Sequence, residues 1–138
     1  MDTKLKSDIA EAAVVFELLR KGLKVLRPVG DRLPYDLGVD RGGRLVRVQV
    51  KSAWSRADKY IVDCRRTRTN RRRMVRARYR ASDFDYAVLY IQEKHVFYIL
   101  PSRIFCRFGS EITLCLRAGS KQRPVSDRYR ERWDYLVG

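Results

Sequence analysis

The chain has 138 residues, enough for one domain with a core of its own. Its 31 Lys and Arg against 16 Asp and Glu leave a net charge of +15, which implies a polyanionic partner. No apolar run approaches the roughly 20 residues of a membrane span, and no long basic amphipathic helix offers a membrane-surface anchor.

The opening Met-Asp-Thr-Lys-Leu-Lys lacks a signal peptide's pattern. The chain is therefore expected to be intracellular, in the cytoplasm or nucleoid of a prokaryote or organelle, and not secreted. Residues 8–21 read as a helix, with Ile9, Ala12, Ala13, Phe16 and Leu19 at helical spacing. Val14, Val15 and Leu18 widen the apolar surface, so the helix is expected to be largely buried. Gly22 stops it. Leu23 to Val29 reads as a short strand and Gly30 to Pro34 as a loop. Tyr35 to Val39 and Leu45 to Val50 read as a hairpin around the Gly-rich turn Asp40 to Arg44. Tyr60 to Cys64 is a further strand.

Residues 65–80 change character. Arginines crowd a stretch with few apolar residues, which predicts an arm or loop outside the core. Tyr86 to Ile91 and Val96 to Leu100 form a second hairpin, rich in β-branched and aromatic residues. Ser102 to Phe108 reads as a short helix and Ile112 to Leu116 as a strand. The tail 120–138 is polar and basic, with Tyr129, Trp133 and Tyr135 as anchors. The expectation is one α/β (α+β) domain over 1–138: a first helix, a mixed central sheet and a basic insertion. Cys64, Cys106 and Cys115 show no metal-ligand spacing and read as reduced structural thiols. His95 is the sole histidine, so zinc and Ser-His or Cys-His chemistry have little to build on.

The chemistry concentrates between Asp36 and Lys51. In a hairpin, Asp36, Gln49 and Lys51 converge at one end, because Gln49 and Lys51 are two apart and share a strand face. Val46, Val48 and Val50 then face the core. A carboxylate, a polar neighbour and an ammonium in one place suit phosphodiester hydrolysis: oxygen ligands hold Mg²⁺, and lysine steadies water or developing charge. With this net charge the phosphodiester is nucleic acid. Glu11 lies on an apolar helical stripe with Val15 and Leu18, where a carboxylate is costly unless paired or metal-bound. Its other reading is a capping box with Asp8 as N-cap. Asp36 also suits a turn after Pro34, and Lys51 a solvated strand end. Asp40 and Asp58 read as loop charges, and Ser52 as a helper near phosphate.

Several pieces recur in order. They are Lys6-Ser7-Asp8-Ile9-Ala10-Glu11-Ala12, Pro28-Val29-Gly30-Asp31, Tyr35-Asp36-Leu37 and Arg47-Val48-Gln49-Val50-Lys51, then Asp83 to Tyr90 and Phe97 to Pro101. Together they resemble the PD-(D/E)xK nuclease superfamily, and within it the group I intron-associated homing endonucleases. The resemblance spans about residues 4 to 105 and implies a restriction-endonuclease-like core, a mixed sheet flanked by helices. It makes Glu11 the helix carboxylate on the metal, Asp36 the bridging aspartate and Lys51 the motif lysine. Gln49 stands where Asp or Glu is usual. This removes one negative charge and leaves the site leaning on Glu11, Asp36 and the Val50 carbonyl. The implied cofactor is Mg²⁺, with Mn²⁺ as a substitute.

The implied reaction is site-specific hydrolysis of double-stranded DNA leaving 5′-phosphate and 3′-hydroxyl. Arg65, Arg66, Arg68, Arg71, Arg72, Arg73, Arg76 and Arg78 are expected to bind the DNA. One site cuts one strand, so a homo-oligomer, dimer or tetramer, is expected. The strands Tyr86 to Tyr90 and Phe97 to Ile99, or the tail with Trp133, are its candidate interface. Three alternatives stand: a Holliday-junction resolvase, a non-catalytic nucleic-acid-binding module of nuclease fold, and a structure-selective repair nuclease.

Overall fold

A computed structural model describes residues 2–69, 74–116 and 124–138. Helix α1 spans Thr3–Arg20. It starts at Asp2, whose side chain accepts the Lys4 N–H at 2.9 Å and so satisfies one of the helix's unpaired donors. Asp8 and Glu11 therefore lie inside the helix, and the capping-box reading is overturned. The helix ends where Gly22 takes φ +81° and the Leu23 N–H closes back on the Leu18 carbonyl at 3.0 Å.

The buried stripe of α1 is Ala10, Val14 and Leu18, flanked by Ile9, Ala13 and Val15. Phe16 and Leu19 are 60% and 56% exposed, so the helix is half solvated and not largely buried. Apolar residues at helical spacing occupy two faces of this helix. Periodicity alone does not choose between them.

In chain order the strands are β1 (Lys24–Leu26), β2 (Leu37–Asp40), β3 (Leu45–Ser52), β4 (Trp54–Arg56), β5 (Lys59–Asp63), β6 (Arg65–Thr69), β7 (Met74–Arg78), β8 (Tyr86–Ile91), β9 (Val96–Pro101) and β10 (Glu111–Leu114). Helix α2 (Ser102–Phe105) runs into a 3-10 turn at Cys106–Phe108. After β10 come a 3-10 turn at Val125–Tyr129 and helix α3 (Asp134–Val137).

The central sheet has the order β1-β2-β3-β8-β9, with β3–β8 parallel and the other pairs antiparallel. The β2–β3 turn closes through the Arg41 N–H on the Arg44 carbonyl at 2.8 Å. Gly42 and Gly43 supply φ +62° and +95°, the positive values that this type of hairpin turn demands. Parallel pairing of β3 and β8 requires a crossover. Here the connection carries a second sheet, ordered β10-β5-β4 once the later strand β10 joins it, and a two-stranded ribbon, β6–β7.

Both faces of the central sheet are covered. On one side Ala10, Val14 and Leu18 pack on Val46, Val48, Val88 and Ile99, joined by Trp133 and Leu136 of the tail. On the other, Ala87, Leu89, Tyr98 and Leu100 meet Val62, Phe84, Phe105 and Ile112. β8 and β9 are thus buried on both faces. Neither they nor Trp133, which is 7% exposed, can form the expected subunit interface. The aromatic content that suggested an exposed surface belongs to the core. The anchoring reading of the tail holds for Tyr129 and Trp133, both buried, and Tyr135 stacks on Tyr86 at 5.7 Å.

Candidate active site

Asp36 sits immediately before β2. Its N–H donates to the Val48 carbonyl at 2.9 Å, and its Oδ2 accepts the Val50 N–H at 2.8 Å. Leu37 pairs with Val48, so the ladder continued by one step sets Asp36 beside Gln49. Cross-strand partners share a sheet face. Val46, Val48 and Val50 face α1, which turns Gln49 and Lys51 the other way. The three residues that the hairpin argument brought together are neighbours in the structure. Gln49 is 7% exposed, and its Nε2 donates to the Val50 carbonyl at 3.3 Å.

Lys51 is half-buried. Its Nζ donates to the Arg65 carbonyl at 2.9 Å and lies 5.0 Å from the centre of the Tyr79 ring. Glu11 lies on α1, near enough for its charge to act on Asp36. Its side chain is 32% exposed, and Oε1 pairs with the Arg27 guanidinium at 3.3 Å.

Burial pushes the Asp36 carboxyl up to about 6; the Val50 N–H opposes the rise, the nearby Glu11 charge adds to it, and Lys51 opposes it. The Glu11 carboxylate is thus close enough for its charge to act on Asp36. Burial holds the Lys51 ammonium below its ordinary range, against the pull of Asp63 and Asp36. A desolvated carboxylate beside a second one is a site short of positive charge, which a dication would supply. The donors on hand are two carboxylates, the Gln49 amide and the Val50 carbonyl. All are oxygens, as a hard ion such as Mg²⁺ prefers. Among the described residues no three His, Cys, Asp or Glu cluster to hold a metal. Gln49 brings an amide and not a carboxylate to the donor set, whose oxygens suit the ion.

A family model described as PD-(D/E)XK endonuclease matches residues 1–136. The chain belongs to this endonuclease family. A solved structure titled as that of a bacterial homing endonuclease, I-Ssp6803I, is 47% identical, with a TM-score of 0.89. The match covers 99% of this chain and 94% of that chain. No curated protein matches. The mixed sheet flanked by helices is the architecture that the resemblance implied.

One expectation about this family member needs correction, and another is narrowed. The Ser52 hydroxyl is buried and makes no hydrogen bond among the described residues, so it is not placed to help at a phosphate. Of the arm and loop readings of 65–80 the arm holds: the described residues 65–69 and 74–78 pair as the ribbon β6–β7, from Arg65–Arg78 to Thr69–Met74. Arg65 is engaged at its root: Nε and Nη2 donate to the two oxygens of Asp63 at 3.0 and 3.1 Å. Arg66 is half-buried and Arg78 exposed. The side chains of Arg68 and Arg76, and the whole of Arg71, Arg72 and Arg73, lie outside the described residues.

Arg27 and Tyr79 are site neighbours that the sequence reading missed. Arg27 follows β1 in a stretch without periodicity, and Tyr79 is hidden among arginines. No signal along the chain links either to Asp36 or Lys51. No helix among the described residues is long and apolar enough to cross a membrane.

Proposed function

We infer that this chain is a site-specific endonuclease of double-stranded DNA, of homing endonuclease type, that hydrolyses phosphodiesters with Mg²⁺. The observation that carries this reading is the Asp36 carboxylate, desolvated and held by the Val50 N–H, with Gln49 alongside and Lys51 on the same strand face. Membership of an endonuclease family and the likeness to a bacterial homing endonuclease support it.

Asp36, Glu11, Gln49 through its amide oxygen and the Val50 carbonyl would hold the ion. Bound there, Mg²⁺ would supply Lewis acidity toward the phosphate and lower the pKa of a coordinated water. Asp36 is pre-oriented by its backbone hydrogen bond, so its geometry is set before substrate arrives. Lys51 orients the attacking water and stabilises the charge that develops on the phosphate. The water oxygen bonds to phosphorus, the bond to the 3′ oxygen breaks, and that oxygen takes a proton. The products are a 5′-phosphate and a 3′-hydroxyl. Mn²⁺ should substitute for Mg²⁺.

The ribbon β6–β7 has the shape that a major groove admits, and its arginines suit phosphates and guanine edges. Two strands are cut by at least two subunits of a homo-oligomer, a dimer or a tetramer. The whole chain, 1–138, acts as one nuclease domain at intracellular DNA, in cytoplasm or nucleoid.

Cleavage of a randomised duplex library and a mobile four-way junction in one tube, with Mg²⁺ and EDTA controls, tests this. The expected result is Mg²⁺-dependent cutting of a few duplex sequences with the junction untouched. Junction-only cutting would make the protein a resolvase. Tight binding without any cutting would make it a binding module in which Gln49 marks a lapsed site.

A further inference from the structure

The ribbon β6–β7 leaves and re-enters the body of the protein at Arg65 and Arg78, its last paired residues. The Lys51 ammonium lies at that root. One strand offers it the Arg65 carbonyl at 2.9 Å, and the residue just past the other strand offers it the face of Tyr79 at 5.0 Å. The Tyr79 ring is itself held by neighbours. It meets Phe84 edge-on at 5.4 Å and Phe105 at 6.0 Å, and both of those rings are fully buried. Its backbone carbonyl accepts the Cys106 thiol at 3.5 Å. The surrounding charges are Asp36, Asp63, Arg66 and Asp83.

A lysine side chain has four rotatable bonds, so its ammonium is diffuse unless something seats it. A ring face attracts an ammonium, more strongly where water is excluded. We propose that Tyr79 is a positioning residue: with the Arg65 carbonyl it forms a seat at the ribbon's root that aims Lys51 into the site. This rests on the reading of Lys51 as the lysine of a phosphodiester-cleaving centre. One consequence is mechanical. The ribbon that engages DNA and the ammonium that meets the phosphate share the same two anchors, so a shift of the ribbon moves the seat.

The test uses the full chain with Tyr79→Phe, which keeps the ring, and Tyr79→Leu, which removes it. The first readout is the ¹H–¹³C resonance of the Lys51 ε-methylene, identified by its loss in Lys51→Arg. Ring current should shift it upfield in wild type and in Y79F, and the shift should vanish in Y79L. The second is single-turnover cleavage of a selected duplex. Y79F should cut within about twofold of wild type, and Y79L about tenfold slower, with affinity for DNA unchanged.

An ordinary Lys51 resonance in the wild type would overturn the proposal without any variant needing to fold. So would full-rate cutting by Y79L. A wild type that binds but never cuts would defeat the catalytic reading instead. The upfield resonance and its loss in Y79L would then still establish the seat.

Discussion

Asp36 is where burial and charge oppose each other most directly. Its folded-state pKa, about 6, lies above the ordinary carboxylate value because the charged form is desolvated. The sign follows from linkage. A raised pKa contributes stability that is present at low pH and lost as pH climbs through 6. Above that, metal-free protein carries the strain of an ionised buried carboxylate, about 3 kcal/mol. Asp36→Asn keeps an oxygen for the Val50 N–H and carries no charge. In EDTA at pH 7.5 this variant should resist denaturant better than wild type by roughly 2 kcal/mol, and the gap should close near pH 4. Added Mg²⁺ should stabilise wild type and leave the variant unmoved. Denaturation curves of equal pH dependence would contradict the account. Asp36, Gln49 and Lys51 were legible as a group because a strand's period of two and a Gly-Gly turn leave little choice of register. Arg27 and Tyr79 were not, since contact across the fold leaves no trace in local spacing.

The ribbon β6–β7 carries the prediction at the scale of elements. Arg78 is exposed and Arg65 and Arg66 are half-buried, in keeping with an element outside the core, but the strand pairing was not anticipated. In β6 Thr67 and Thr69 alternate with arginines, polar with polar, which gives no period-two signal. In β7 and just past it Val75, Ala77 and Tyr79 do alternate with Arg76, Arg78 and Arg80, and the cue was passed over for the density of arginine. Helix α1 failed differently. Two apolar faces compete on it, and only packing against β3 and β8 selects Ala10, Val14 and Leu18. The strands β8 and β9 were placed accurately yet misjudged as surface, because a run buried on both faces resembles an exposed aromatic patch until its neighbours are known. If the ribbon lies along DNA, replacing Arg66, Arg68, Arg76 and Arg78 together with Gln removes about four phosphate-neutralising charges. The slope of log affinity against log salt should then fall by about 3 to 4, measured by fluorescence anisotropy. An unchanged slope would take the ribbon out of the interface.

On the scale of the whole molecule, 31 basic residues on 138 give an approach to DNA that needs no sequence, while the site adds the chemistry. The two functions meet where the crossover from β3 to β8 returns the ribbon's root to Lys51. On the proposed function, this architecture would tie grip to cutting within one small chain. It also separates the residues by effect: losing a ribbon charge should weaken binding, and losing Asp36 or Lys51 should abolish cutting while binding persists. The most direct measurement is single-turnover cleavage of a selected duplex in Mg²⁺ by wild type, Asp36→Asn and Lys51→Ala, with DNA affinity measured on the same preparations. The account predicts a loss of roughly 10²-fold or more in rate for each variant at near-native affinity. Variants that cut as fast as wild type would place the chemistry elsewhere.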